Sequence, residues 1–166
     1  MENPTDQLTK LYPELKFKSG KHFCWSPETN EIIYKKNKTF SEKDTWSLLH
    51  ETGHALLNHR DYHSDFELLK LEVEAWAKAK EIAKSFNVNI DENHIEDCLD
   101  TYREWLYKRS ICPNCTAKCL QQSDFVHYRC FNCHTTWRVS SNRFCRAYRS
   151  TKKVLQDSSL NLESAT

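Results

Sequence analysis

Apolar residues recur at helical spacing through the middle of the chain. Trp46, Leu49, His50, Gly53, His54 and Leu57 fall on one face of a helix that Ser41 or Asp44 can cap, with acidic residues in its first turn. A second run, from about Asp65 to Phe86, brings Leu68, Leu69, Ala75, Trp76, Ala79, Ala83 and Phe86 to one side. A third, capped by Asp91 and ending near Lys108, aligns Ile95, Cys98, Leu99, Tyr102 and Leu106, so Cys98 reads as a small core hydrophobe. Nearer the N-terminus the pattern changes. Lys21–Ser26 and Glu31–Lys35 read as two strands of a hairpin around the turn-forming Pro27-Glu28-Thr29-Asn30, and Leu8 to Phe17 reads as a short helix broken at Pro13. With two glycines and four prolines in 166 residues, helices are expected to dominate an α+β fold. Val154 to Thr166 is polar and aperiodic, and is expected to be disordered. There is no internal repeat.

Chemistry enters with His50-Glu51-Thr52-Gly53-His54. Residues four apart on a helix share a face, so both imidazoles can reach one ion while Glu51, about 100° further round, meets a water on it. That is the layout of a zinc hydrolase, in which the metal supplies Lewis acidity and the carboxylate takes the proton. Gly53 costs the helix about 1 kcal/mol relative to alanine, which implies close packing against the backbone there. The bland alternative is a buried helix whose histidines only hydrogen-bond to neighbours.

A catalytic zinc needs a third protein ligand, and His59, His63, Glu67, Glu72 and Glu74 are the candidates. The longer metzincin pattern is excluded, because Leu57 and Arg60 stand where it requires glycine and histidine. On the second helix Glu72 lies in the middle of the apolar face, where an unpaired carboxylate is expensive and metal coordination removes the expense. Glu74 lies on the opposite, charged side with Glu67, Lys70, Lys78 and Glu81. Glu72 is therefore the expected ligand; a salt bridge from Glu72 to another helix is the alternative. Tyr62 and His63, in the loop after the motif helix, are candidates to steady an oxyanion.

These residues resemble a family. His50-Glu51-x-x-His54-Ala55-Leu56-Leu57, followed by Glu72-Val73-Glu74-Ala75-Trp76-Ala77, is similar to the ImmA/IrrE-type metallopeptidases, gluzincins with an H-E-x-x-H…E-x-E-A-N-x-F-A pattern. The resemblance covers about residues 23 to 86, and Trp76 departs from it where the family has a polar residue able to orient a ligand. It implies a zincin-like metallopeptidase domain that hydrolyses peptide bonds in a regulatory protein, such as a transcriptional repressor. A strand beside the motif helix would then offer its edge to an extended substrate, and the hairpin could supply that strand or simply cover the core. The competing resemblance is to SprT-like, DNA-associated peptidases, which use a third histidine; His63-Ser64-Asp65-Phe66 is the segment similar to theirs.

Four of the eight cysteines form two knuckles, Cys112-Pro113-Asn114-Cys115 and Cys130-Phe131-Asn132-Cys133, at the spacing of a zinc ribbon. Four thiolates close the coordination sphere, so this second zinc is structural. His127 and His134 are surplus to it and read as surface residues, and Cys119 and Cys145 as spare thiols or alternative ligands. Three parts result: a metallopeptidase domain over 1–109, a ribbon over 110–140, and a basic segment with its tail over 141–166.

Charge divides along the same line. Up to about residue 106 acids outnumber bases by about six, whereas Lys108 to Lys153 holds about ten bases and the single acid Asp124. Arg138, Arg143, Arg146, Arg149, Lys152 and Lys153 interleave with Trp137, Phe144 and Tyr148, a mixture suited to phosphates and stacked bases or to an acidic protein surface. A non-enzymatic regulator that binds DNA or protein through the ribbon is the reading from another class, and the intact Glu51 counts against it. No stretch has the apolar length of a membrane span and the polar N-terminus lacks a signal core, so a cytoplasmic protein with reduced thiols is expected.

Overall fold

The computed structural model describes residues 3–36, 39–139 and 149–151. The fold is α+β. Its contacts divide the chain into two units, Met1–Glu104 and Trp105–Thr166.

The first unit begins with α1 (Pro4–Leu11), whose start is fixed by two local signals. The Asn3 side chain accepts from the Thr5 N–H and Pro4 sits at the first helical position, where a missing N–H is harmless. The expected helix over 8–17 is thus corrected: the helix starts earlier, stops before Pro13, and gives way to strand β1 (Lys16–Gly20). Phe17 packs against the core between exposed Lys16 and Lys18, which is the period of a strand. Strands β2 (Cys24–Ser26) and β3 (Glu31–Lys35) form the expected hairpin, although the first is shorter than its apolar run. Asn30 takes a left-handed conformation in the turn (φ 54°), which asparagine tolerates. β1 joins β3 in parallel with Phe17 opposite Ile32, so the sheet order is β1-β3-β2 and β2 lies at an edge.

Helix α2 (Glu42–Leu56) carries the histidine motif. Ser41 and Asp44 both cap it: the Ser41 hydroxyl accepts from the Asp44 N–H, and the Asp44 carboxylate accepts from the Ser41 N–H. Helix α3 (Asp65–Ser85) starts at the Ser64 cap, and α4 (Glu92–Ser110) follows. Leu48, Leu49, Trp76, Ala79, Ile82, Ile95 and Leu99 pack with Trp25 and Ile32 of the sheet into one core. Full burial of each leucine or isoleucine contributes about 1.5–3 kcal/mol. The spacing of α2 and α3 is set at Gly53, where an added Cβ would lie 2.6 Å from the Ala75 carbonyl oxygen. Gly53 has no positive φ, so the close approach alone explains it.

The second unit takes the last turns of α4 as well as the ribbon, so its boundary falls five residues before the expected 110. Two hydrogen bonds explain why: the Trp137 indole N–H donates to the Arg109 carbonyl, and the Cys119 N–H to that of Ser110. The ribbon sheet runs β4 (Leu120–Gln121), β5 (His127–Arg129), β6 (Thr136–Val139) and β7 (Arg149–Thr151), each antiparallel to the next. Tyr128 and Trp137 are register partners and stack inward with ring centroids 5.6 Å apart. Trp137 is fully buried, which corrects its expected place among base-stacking aromatics. Of the other residues in that expectation, Arg143, Phe144, Arg146, Tyr148, Lys152 and Lys153 lie outside the described residues, as do Cys145 and the tail from Val154; Arg149 is described only as backbone. Among the described residues, no helix is long and apolar enough to cross a membrane.

Candidate metal centres

Among the described residues, two clusters of side chains could hold metal ions: His50, His54 and Glu72 in the first unit, and Cys112, Cys115, Cys130 and Cys133 in the second. In the first, α2 presents its histidines one turn apart and α3 presents Glu72 from the middle of its buried face. All three are buried or nearly so. His50 Nε2 lies 3.4 Å from one Glu72 oxygen and His54 Nε2 lies 3.6 Å from the other. Tetrahedral zinc with bonds of about 2.05 Å requires edges of about 3.3 Å, so the donors stand almost at binding distance. His50 Nε2 is also a buried polar atom with no hydrogen-bond partner, although a carboxylate is near. A metal ion satisfies that atom directly, and the residues fit one.

Each histidine ring is held from behind. His50 stacks on Trp76 at a centroid distance of 4.2 Å and an interplanar angle of 27°. Its Nδ1 lies 3.5 Å from Glu51 Oε1. The other Glu51 oxygen accepts a 2.7 Å bond from the Trp25 N–H, on the edge strand β2. Burial alone would lower the His50 pKa, but the flanking Glu51 and Glu72 carboxylates outweigh it and raise the pKa to about 9. The same pairing works on the acids. Burial would raise the pKa of Glu72, yet His50 and His54 hold it well below the usual carboxylate range. Burial likewise opposes ionisation of Glu51, but His50, His54 and the Trp25 N–H prevail and lower its pKa.

Of the remaining candidates, His63 is exposed at the approach to α3, where its N–H donates to the Glu67 carboxylate, and it does not join the cluster. Tyr62 is half-buried in the same loop. Glu74 lies on the charged side as expected, 43% exposed with Oε1 3.7 Å from Lys70, and its Oε2 also lies 3.5 Å from His59 Nε2. His59 is buried, with its Nδ1 2.9 Å from His54 Nδ1. That contact is absent from the expectations drawn from sequence. A signal for it exists in Asn58, a residue tolerant of left-handed backbone just past a helix end.

In the second cluster the knuckles repeat each other bond for bond. The Asn114 N–H donates to Cys112 Sγ and the Asn132 N–H to Cys130 Sγ, both at 3.4 Å. Cys112 N–H donates to the Ala117 carbonyl and Cys130 N–H to that of Thr135, both at 2.8 Å. Thr116 and His134, which follow the second cysteine of each knuckle, have φ of 61° and 57°. The sulfurs pair across the knuckles, Cys112 with Cys133 at 3.5 Å and Cys115 with Cys130 at 3.4 Å. A bound zinc with bonds of about 2.3 Å would spread them to about 3.8 Å. Without metal, burial pushes the Cys112 thiol up to about 11, while hydrogen bonds from Thr135 and Asn114 hold Cys133 down at about 5. A metal on these sulfurs would displace the protons that remain on them. Cys119 stays out of the cluster and donates to the Ala117 carbonyl.

No protein-family model matches the chain, and no match was found among curated proteins or solved structures.

Proposed function

We propose that the chain is a zinc-dependent peptidase of the ImmA/IrrE type, with a zincin-like first unit and a structural zinc in its ribbon. The carrying observation is the orphaned His50 Nε2, which faces Glu72 together with His54 Nε2 while Glu51 is tethered beside them. A zinc ion on these ligands would supply Lewis acidity towards a peptide carbonyl and make a water easier to deprotonate. Glu51 is the base. The Trp25 N–H fixes Oε2, and Oε1, which lies 3.5 Å from His50 Nδ1, is the oxygen that would take a proton from water and deliver it to the departing amine nitrogen. Burial opposes ionisation of Glu51, but the neighbouring His50, the charge of His54 and the Trp25 N–H keep that carboxylate ionised.

The substrate class is a protein, and the resemblance favours a regulatory one such as a transcriptional repressor. Leu120, Arg129 and Arg138 share the exposed face of the ribbon sheet, a surface suited to docking a substrate or nucleic acid. A cytoplasmic setting, which keeps thiols reduced, would leave the four ribbon cysteines available as metal ligands. The test is peptide-library hydrolysis by zinc-loaded protein and by its Glu51→Gln variant. Turnover that disappears in the variant while zinc is retained supports the reading. Equal turnover in both would remove Glu51 as the base, and none from the fully loaded wild type would favour the non-enzymatic regulator.

A further inference from the structure

Helix α2 ends in a way that returns the next histidine to the one before. The Asn58 N–H donates to the Ala55 carbonyl and the His59 N–H to that of His54, both at 3.0 Å, with Asn58 left-handed at φ 52°. Those paired bonds reverse the chain after the last helical turn. The Trp25 indole N–H then clamps the His59 carbonyl at 2.6 Å. His59 is thereby held with Nδ1 against His54 Nδ1 and Nε2 towards Glu74.

Only one of two proton arrangements along this row leaves His54 able to bind a metal. If His54 carries its proton on Nδ1, it donates to a bare His59 Nδ1, and the His59 proton sits on Nε2 facing the Glu74 carboxylate. The reverse arrangement puts a proton on His54 Nε2, inside the metal cluster, and turns a bare nitrogen of His59 towards a negative charge. Glu74 disfavours the second arrangement electrostatically.

We infer that His59 and Glu74 are positioning residues that hold His54 in the metal-ready tautomer, with Nε2 unprotonated towards the metal and Nδ1 protonated towards His59. The inference rests on the metal-site reading proposed above. It assigns a use to the second acid of Glu72-Val73-Glu74: Glu72 offers a ligand atom to the metal cluster, and Glu74 acts two imidazole rings away. Partners behind a metal-bound histidine typically change metal affinity by about 10- to 100-fold when removed.

The test compares His59→Phe, which keeps the ring packing without a nitrogen, with His59→Asn, whose Oδ1 can accept where Nδ1 does. Zinc affinity is read by competition with a chromophoric chelator, the ribbon zinc serving as an internal reference. His59→Phe is expected to weaken the histidine-bound zinc by about 10- to 100-fold and His59→Asn to restore most of the loss. Glu74→Ala, at a half-exposed position where folding is safe, is expected to weaken it several-fold. Long-range proton–nitrogen NMR of the zinc-loaded wild type should show His54 protonated at Nδ1 and His59 at Nε2. Unchanged affinity in His59→Phe, equal loss in His59→Phe and His59→Asn, or the opposite tautomers would overturn the inference. If the wild type binds one zinc only and His54→Ala leaves that number unchanged, the metal-site reading fails first and the inference with it.

Discussion

Gly53→Ala is a one-carbon test of how the first metal cluster is assembled. In an exposed helix the change would stabilise by about 1 kcal/mol. At this position the new Cβ would sit 2.6 Å from the Ala75 carbonyl oxygen, 3.3 Å from its carbonyl carbon and 3.5 Å from its Cα. All three are backbone atoms, so no side-chain rotation relieves the overlap. Ordinary contact begins at 3.4 Å, and α2 and α3 must therefore separate by about 0.8 Å. Overpacking of this kind costs about 1–3 kcal/mol, which offsets the propensity gain and leaves a net loss of up to about 2 kcal/mol. The sharper effect falls on the metal. The same separation carries Glu72 away from His50 and His54, whose donor distances of 3.4 and 3.6 Å already sit at or beyond a tetrahedral edge. Metal–ligand bonds tolerate about 0.2 Å, so zinc affinity at this site should fall at least about tenfold. Urea denaturation with chelator measures the first effect and competition titration the second, with the ribbon zinc unchanged as a control. A variant more stable by about 1 kcal/mol with wild-type zinc affinity would refute the argument that the Gly53–Ala75 contact sets the site.

Purified protein should carry two zinc ions per chain. Elemental analysis should find one in Cys112→Ser and one in His54→Ala, and an unchanged count in either variant would remove that cluster from the scheme. Glu72→Gln should release the histidine-bound zinc at chelator concentrations that leave Glu74→Gln largely loaded, because only Glu72 shares a cluster with the histidine nitrogens. In metal-free protein the neighbouring carboxylates, against burial, hold the His50 pKa at about 9, so at lower pH zinc must displace a proton from it. Its apparent affinity for that site should rise about tenfold per unit from roughly pH 7 to roughly pH 9 and then level; a flat titration over that interval would contradict the pairing of His50 with Glu51 and Glu72.

Where a role follows from local period, it was legible in the sequence. Glu72 stood out because an acid in the middle of an apolar helical face needs a partner, and the structure buries it beside both histidines. The two knuckles were legible because C-x2-C holds its two sulfurs within reach of one ion, and the structure gathers all four. Roles set by pairing across the chain were not legible. Strand β1 is stabilised by parallel pairing with β3, beyond β2 in sequence, and Lys16–Gly20 alone holds too few apolar positions to reveal it. Trp137 was read by composition as a surface aromatic, whereas its register partner Tyr128 turns it inward.

His59 stands between these cases. Its distance from His54 in sequence gives no helical relationship, since five residues point the two side chains to different faces of a continuous helix. The contact exists because the helix stops. Asn58 adopts the left-handed turn that ends α2, the His59 N–H reaches back to the His54 carbonyl, and the two rings are brought together by the reversal. A motif read on an unbroken helix therefore finds the atoms facing the metal and overlooks those behind it. For this chain the informative unit is longer than His50 to His54: it runs on to the asparagine that ends the helix and the histidine that follows.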